Sequence, residues 1–530
     1  MHRPLFLNGF MGVGKSTVGR QVAQAASRPF IDMDERLESR FGMTIAEYFA
    51  RHGETAFRAA ERAELESLLA SAPRSTEPPV IAVGGGAMLA RALRLRALDT
   101  AVVVTLETEA EEIARRAVAQ GGRPLLDTPD ALGRTRELLE LRANSYAEAH
   151  ARVSTGGRPP ETIAREVLEI WKRDPIAVAA GQYSYSVEVG RGIGAARAPA
   201  LVGRASSVMV VTDANVAPLH ASTLKQSLLA AGNVHAEFVL TPGEQHKNIE
   251  SIRAIWQKLQ DTGADRRSVC VGLGGGVVTD MTGFTASSWL RGVRWVGLPT
   301  TLLAMVDAST GGKTGVDFGP AKNAIGAFWQ PSGVICDIAL EATEPARNYV
   351  SALAEVVKTA LIGDPEMLDL LERESDRVVA REPDLVEELV RRSVRVKARI
   401  VSQDERESGL RAVLNLGHTV GHALEAIGGY DRLTHGEAIS LGLVAALRLG
   451  VRRGVTPSAL EERIVRLLVT LGLPTDLSRE PVLEAAELLA HDKKKAGKKL
   501  RFIFALDAGR VETSDLDLTE LHDSVRKLAS

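Results

Sequence analysis

The sequence predicts an α/β protein whose strands give way to an all-helical module after about residue 345. Three observations carry this. Short apolar runs rich in β-branched residues alternate with helical periodicity through residues 1–172 and again through 207–299. Several of those runs pass straight into glycines, as parallel strands do where they turn into helices. Beyond about 345 the apolar spacing becomes helical and stays so.

Taken in order, LFLNG is the first strand, followed by a glycine turn and the helix GRQVAQAA. PVIAVGGG (79–86) and AVVVTLE (101–107) are further strands. PPETIAREVLEIWKR begins with prolines, keeps helical spacing, and closes a first domain, 1–172. Alternating strands and helices imply a parallel sheet with helices on both faces. Residues 173–183, spanning DPIAVAAGQY, are poor in charge and periodicity and read as a linker. A second α/β unit, 184–344, follows with SVMVVTD (207–213), VHAEFVL (234–240), SVCVGLGGG (268–276) and VRWVGLP (293–299). Residues 345–530 are read as helical, from stretches such as PEMLDLLERESDRVVA and PDLVEELVRRSVRVKARIV, with one late strand candidate, LRFIFAL (500–506). No repeat of fixed period and no low-complexity tract occurs.

Composition narrows the classes. With 530 residues, 45% hydrophobic and 25% charged, the chain can bury several cores, which excludes a disordered protein. Lys+Arg total 65 and Asp+Glu 67, a net charge of −2, so there is no general pull toward nucleic acid or an anionic membrane. Small-molecule partners are expected instead. The two cysteines, Cys270 and Cys336, allow no disulfide framework or four-cysteine zinc site and fit a reducing cytoplasm. The start, MHRPLFLNGF, reaches a glycine motif before a signal-peptide apolar core could be completed. The window AISLGLVAALRLGV (438–451) is interrupted by Arg448 and too short to span a bilayer, so it reads as a buried helix.

Gly9 to Ser16 match GxxxxGK[ST] between a strand and a helix, the context a P-loop requires. Main-chain N–H groups there could wrap a polyphosphate; Lys15 would bridge the β- and γ-phosphates, and Ser16 would bind Mg²⁺. Asp32 and Asp34, two apart, would share one face of a strand, one serving the metal and the other a hydroxyl nucleophile. Then come Gly53-Glu54, Phe57-Arg58 with Glu61, Gly84-Gly85-Gly86, Arg123-Pro124-Leu125-Leu126, and Arg142 with Tyr146. This ordered set resembles shikimate kinase over residues 1–172. The resemblance implies that Asp34 holds the shikimate hydroxyl as base and that Asp32 and Ser16 serve Mg²⁺. It implies that Arg58, Arg142, Gly85 and Gly86 bind shikimate, and that Gly12, Gly14, Lys15, Ser16, Thr17 and Arg123 bind ATP. Arg123 would also stabilise the transferring phosphoryl group. Asn144 departs from the proline usual in that family.

His418 and His422 stand one helical turn apart, and His435 follows in THGEA, read as a loop. The HxxxH spacing nominates His418 and His422 as a metal pair, without the glutamate of HExxH. Lysines recur at 313, 322, 358, 397 and 493–494, and GLGGGVV (272–278) with Asp280 is a weak dinucleotide signal.

Together YSYSVEVG, TDANV, GEQHK, GLGGGVVTDMTGF, RGVRWVGLPTTLLAMVDASTGGKTGVD, KNAIGAFWQP, AEVVK, DERESGLRAVLNLGHTVGHALE, HGEA and DKK resemble 3-dehydroquinate synthase from 184 to about 507. The resemblance implies a Rossmann-like part followed by a helical metal-binding part. The implied reaction converts the sugar acid phosphate DAHP to 3-dehydroquinate with loss of phosphate, using NAD⁺ and a divalent metal, Zn²⁺ or Co²⁺. Oxidising the C5 hydroxyl acidifies the neighbouring C–H, so phosphate can leave and the hydride can be returned. The implied metal ligands are Glu355, His418 and His435, with His422 in proton transfer, so resemblance and spacing disagree over His422. Asp307, Lys313, Asn323, Lys358, Lys397, Arg411, Asn415 and Lys494 are implied in the substrate site. Arg291 would reach a neighbouring subunit's site, which implies a homodimer. Asp213, Asn215, Glu244, Lys247, Gly275, Gly276, Asp280, Thr300, Thr301 and Lys322 are implied for NAD⁺. Before Glu355 the chain reads ATEPARNYVSALAE where that family more often reads TLPxRExxxGxAE, so Asn348 and Ala352 replace an acid and a glycine. The expected whole is a bifunctional enzyme of aromatic biosynthesis. The rival readings are a synthase, or a related sugar-phosphate cyclase, whose P-loop domain is only regulatory.

Overall fold

A computed structural model of the chain describes residues 3–120, 126, 129–233, 235–319, 321–429, 432–491 and 499–529. Its contacts divide the chain into two compact units, Met1–Glu188 and Val189–Ser530.

In the first unit, β1 (Leu5–Asn8), β2 (Phe30–Asp32), β3 (Val80–Ala82), β4 (Val102–Glu107) and β5 (Ala151–Ser154) form a parallel sheet in the order β2-β3-β1-β4-β5. Alternate side chains serve two cores. Leu5, Leu7, Val102 and Val104 pack with Val18 and Val22 of the helix Lys15–Ala26 and with Val167 and Trp171 of the helix Pro160–Arg173. Phe6, Ile81 and Val103 pack with Met33, Leu37, Leu65 and Leu68. Strands buried on both faces show unbroken apolar runs, the pattern that marked them in the sequence.

The segment expected to be a linker is structured. Ile176–Val178 is β6 and pairs antiparallel with β7 (Tyr185–Gly190), Ala177 opposite Ser186. Ala177 and Ala179 belong to the core on the Phe6 face. Low charge and a short apolar run, read as linker composition, are here the composition of a buried strand.

In the second unit, β8 (Val208–Asp213), β9 (His235–Leu240), β10 (Val269–Gly274), β11 (Arg294–Pro299) and, later in the chain, a strand at Gly333–Asp337 run parallel. Their order places β10 between β8 and β11, with β9 outside β8 and the later strand outside β11. Val208, Val210, Val271, Leu273 and Val296 fill one face, and Met209, Val211, Cys270 and Trp295 fill the other. Between β11 and that later strand lies an unforeseen antiparallel hairpin, β12 (Lys313–Phe318) and β13 (Ala321–Phe328). Its site lysines and exposed positions hide the alternation that signals a strand. With the hairpin counted, the strand Gly333–Asp337 is β14.

Beyond residue 345 the helices Ala346–Gly363, Pro383–Gln403, His418–Ile427 and His435–Arg452 dominate, as expected. The window 438–451 lies in the last of these and is almost wholly buried. The late strand candidate is β15 (Lys499–Asp507), and it has a partner, β16 (Arg510–Asp517), antiparallel to it. β16 reads RVETSDLD and is mostly exposed, so its sequence carries little strand signal. Among the described residues no helix is long and apolar enough to cross a membrane.

Candidate active sites

The first site surrounds the loop between β1 and the helix Lys15–Ala26. Lys15 Nζ donates to the carbonyls of Gly9 (2.9 Å) and Phe10 (3.1 Å). A cavity of about 690 Å³ joins this loop to Asp32, Asp34, Arg58, Glu61 and Arg142, with Gly12, Ser16 and Thr17 also on its wall. The two aspartates do not share a strand face. β2 ends at Asp32, which caps the helix Met33–Phe41 by accepting from Asp34 N (3.0 Å) and Glu35 N (3.4 Å). Asp34 therefore enters the cavity from the first helical turn, and capping rather than alternation brings the pair together.

Burial raises the Asp34 carboxyl to about 6; Lys15 opposes this, and Asp32 and Glu61 add to it. A base poised near neutrality suits proton removal from a hydroxyl. We expect kcat/KM for the acceptor to fall about tenfold per pH unit below about pH 6, where Asp34 holds its proton. A flat profile from pH 5 to 7 at saturating Mg²⁺-ATP would remove Asp34 from that role.

Arg58 Nη1 donates to Glu61 Oε2 (2.6 Å), and Glu61 is buried. A Cβ on Gly86 would lie 2.2 Å from Arg58 Nη1, so the guanidinium rests directly against this glycine. Arg142 stacks over Phe10 (5.5 Å to the centroid), and Tyr146 OH donates to the Gly85 carbonyl (2.7 Å). The site thus converges two guanidiniums on the strand-end glycines. Glu61 is the residue the sequence site omits; its place three after Arg58 on one helix is the signal that marks it. Asn144 lies in the short helix Ala143–Ala147 and accepts from Glu148 N (3.0 Å), so that turn forms without a proline. Arg123 lies outside the described residues.

The second site begins at the C-terminal edge of the parallel sheet. Asp213 ends β8, Gly275 and Gly276 follow β10, and Thr300 and Thr301 follow β11. Asp213 Oδ1 accepts from Asn215 N (2.8 Å). Three neighbouring strand ends of this kind are where open α/β sheets bind ligands. A cavity of about 770 Å³ carries on from Gly276. On its wall Lys247 Nζ donates to Asp280 (2.6 Å) and to Asn323 Oδ1 (2.6 Å), and Lys322 donates to Glu425 (2.7 Å) and lies 3.7 Å from Glu244. Burial raises the Asp280 carboxyl, with Lys247 pulling the other way.

The same cavity holds Asp307, Lys313, Lys397, Arg411 and Asn415. Lys397 pairs with Asp307, whose carboxyl Lys397 and Lys358 hold far below the usual range despite its burial. Burial lowers Lys397, which the Asp307 carboxylate opposes. Glu407 ties two of these groups together, pairing with Lys313 and accepting from Asn415 (2.8 Å). Arg291, at φ 66° in the turn after the helix Gly276–Ser288, does not line this cavity, and neither do Asp213, Asn215, Gly275, Thr300 or Thr301. Lys494 lies outside the described residues.

Three histidines meet beside these cations, all of their nearest ring nitrogens within 4.8 Å. Helix packing through glycines places them. A Cβ on Gly436 would lie 1.9 Å from Ser351 O, and one on Gly442 2.0 Å from Gly417 O. The helix carrying His435 therefore presses against both the helix of Glu355 and the start of the helix of His418. His435 is not in a loop. Thr434 and Glu437 form a capping box, T-x-x-E, and His435 is the first helical residue.

Glu355 Oε1 is fully buried and makes no hydrogen bond, yet His418 Nε2 lies at 3.7 Å and His435 Nε2 at 3.6 Å. Two donors on a tetrahedral ion with arms of about 2.1 Å stand about 3.4 Å apart, so this set fits a divalent cation. Both rings are oriented from behind: His418 Nδ1 faces the Leu416 carbonyl (3.2 Å), and His435 Nδ1 faces Glu425 Oε2 (3.5 Å). Burial lowers His418 well below its ordinary value and lowers His422 to about 4, so both are neutral at pH 7. His435 goes the other way; burial opposes its charge, but Glu355 and Glu425 raise it to about 9. Each carboxylate also has a lysine beside it, Lys358 at 2.5 Å from Glu355 Oε2 and Lys322 at 2.7 Å from Glu425 Oε1, so His435 lies between two ion pairs. Glu425 is the second omitted residue, readable as the i+7 position of the His418, His422 face.

A family description of shikimate kinase matches residues 11–172, and descriptions of the N- and C-terminal parts of 3-dehydroquinate synthase match 237–351 and 352–495. The 3-dehydroquinate synthase of Citrifermentans bemidjiense is 44% identical over 334 residues, 62% of this chain and 92% of that protein. The chain belongs to the 3-dehydroquinate synthase family. It also carries a shikimate kinase domain ahead of the synthase, so one chain holds both enzymes. The 3-dehydroquinate synthase of Acidithiobacillus ferrooxidans is likewise 44% identical, over 63% of this chain and 92% of its own length. Among solved structures, the synthase part resembles the 2-epi-5-epi-valiolone synthase ValA of Streptomyces hygroscopicus, with NAD⁺ and Zn²⁺ bound there (TM-score 0.60, 28% identity, 65% of this chain and 96% of that one).

Proposed function

We propose how the residues divide the work of the two enzymes. In the kinase, Lys15 and the P-loop amides hold ATP with Gly12, Gly14 and Thr17, and Ser16 and Asp32 serve Mg²⁺. Arg58 and Arg142 grip the shikimate carboxylate beside Gly85 and Gly86, and Asp34 takes the proton of the acceptor hydroxyl. Arg123 completes the ATP side. The convergence of Asp34, Arg58 and Arg142 on one cavity supports an acceptor pocket, which a purely regulatory nucleotide sensor has no use for.

In the synthase, Glu355, His418 and His435 hold a divalent metal, Zn²⁺ or Co²⁺, and His422 stays free for proton transfer. The observation that carries this is the buried, unbonded Glu355 oxygen facing two back-oriented Nε2 atoms. Asp213, Asn215, Gly275, Gly276, Thr300 and Thr301 at the strand ends, with Glu244, Lys247, Asp280 and Lys322, would hold NAD⁺. When bound, NAD⁺ takes up and returns a hydride at C5 of DAHP, and the cation polarises the oxygens there. Lys313, Lys358, Lys397, Arg411, Asn323, Asn415 and Lys494 neutralise and orient the phosphate and carboxylate of DAHP, and Asp307 keeps Lys397 in place. His422, neutral at pH 7, accepts a substrate proton. Arg291 serves the site of a second copy in a homodimer; its position away from its own cavity supports this. The setting is cytoplasmic, in keeping with two unpaired buried cysteines. Standard substrate use, rather than that of another cyclase, is supported by 44% identity to synthases against 28% to ValA.

The test is a pair of assays on the purified full-length chain: phosphate release from DAHP, and ADP formation with shikimate. Stripping NAD⁺ and divalent metal with charcoal and a chelator should silence the first until both are restored. The second should need only Mg²⁺. Phosphate release that persists after complete stripping would refute the cofactor assignment.

A further inference from the structure

The turn after β11 carries Thr300 and Thr301, proposed above for NAD⁺, and leads into the helical turn Ala304–Ala308 with Asp307. It is pinned at one end by Thr300 N, which donates to the Gly274 carbonyl at the end of β10 (2.9 Å). Thr301 lies against the glycine pair, since a Cβ on Gly275 would sit 3.4 Å from Thr301 Cγ2. The other end is held from outside the strand ends. Leu302 N donates to Glu344 Oε2 at 2.8 Å, and Glu344 is buried. Within that turn Thr301 Oγ1 accepts from Ala304 N (3.3 Å), and Met305 N donates to Thr301 O (3.0 Å).

We propose that Glu344 is a positioning residue of the synthase, fixing the Thr300–Leu302 turn against Gly275 so that the nucleotide site keeps its place. This rests on the NAD⁺ reading above. Glu344 is itself clamped. Its N–H donates to Glu341 O (2.8 Å), and its carbonyl accepts from Arg381 Nη1 (2.7 Å). Arg381 stacks on Tyr349 (4.4 Å to the centroid), whose hydroxyl donates to Val378 O (2.7 Å). The carboxylate is thus delivered by a rigid shell to one amide, and that amide immediately follows the two threonines. An acceptor oxygen is what the amide needs, and glutamine supplies one as well as glutamate does.

The experiment is a titration of NAD⁺ into the metal-loaded full-length chain, with kcat for phosphate release measured at saturating NAD⁺. Glu344→Ala leaves the Leu302 N–H buried without its partner and should weaken NAD⁺ by about tenfold or more. At saturating NAD⁺ its kcat should stay within about threefold of the starting protein, and Glu344→Gln should restore NAD⁺ affinity to within about threefold. Glu344→Ala with unchanged NAD⁺ affinity overturns the proposal, as does Glu344→Gln as weak as Glu344→Ala. If Glu344→Ala does not fold, Glu344→Asp takes its place, because the shorter side chain withdraws the oxygen; unchanged affinity there overturns the proposal equally. A starting protein that neither binds nor needs NAD⁺ would instead sink the cofactor reading itself.

Discussion

His435→Ala should release the divalent cation from the synthase and lower phosphate release from DAHP by about a thousandfold or more, because the cation polarises the reacting oxygens. His435 is one of the three ligands proposed above, and its loss leaves Glu355 Oε1 buried opposite His418 alone. His418→Ala should behave alike. His422→Ala should fail differently. Activity should fall by about 10²–10⁴, the range for a proton-transfer group. Bound metal should stay near about one per chain, because the three proposed ligands remain. Glu425→Gln should lie between, with metal affinity down about 10- to 100-fold, since Glu425 orients His435 from behind while its other oxygen holds Lys322. Elemental analysis after dialysis, paired with the phosphate assay, separates these cases. If His422→Ala loses its metal while His435→Ala keeps it, the HxxxH spacing is the right guide and the set with Glu355 is wrong.

Asp34→Asn should lower shikimate phosphorylation by about 10²–10⁴ while largely sparing ATP binding, because the amide cannot accept the hydroxyl proton. The loss should not come from unfolding. The Asp34 carboxyl stands at about 6 in the fold against an ordinary 3.8. The folded state therefore favours the protonated form, and stability declines as pH rises from about 4 through about 6. Above that window the ionised group costs roughly 3 kcal/mol, from about two pH units at 1.36 kcal/mol each. Asparagine removes that charge, so the variant should melt at or above the starting protein at pH 7.5 while being a far poorer kinase. Lys15→Ala should abolish phosphorylation, since its ammonium serves the triphosphate, and leave phosphate release from DAHP nearly intact. A comparable drop in the synthase would mean that the P-loop domain controls it, as the regulatory reading holds. A variant of Asp34 that melts lower and is inactive would leave folding as the cause and displace the base assignment.

The sequence by itself determined the fold class and the order of the two enzymes. The reason is local. Strands buried on both faces are apolar throughout, and the P-loop must follow a strand and open a helix, so each announces itself within a few residues. Where a local pattern served two structures, the sequence went wrong. Ile176–Val178 has the low charge of a linker and is a paired strand, and Asp32 and Asp34 have strand spacing but meet through a helix cap. β12, β13 and β16 carry too many exposed or working residues to alternate cleanly. Only the tertiary structure brings Glu355 beside His418 and His435. Glu355 lies 63 positions before His418 and 80 before His435, and nothing local ties them. What joins them is the close approach of helix backbones at Gly436 and Gly442, which no spacing rule reports. Glu425 and Glu344 belong to the same class, whereas Glu61 holds Arg58 from three residues away on one helix. Glu425 and Glu344 hold groups on other elements, and such a contact exists only once both elements have packed.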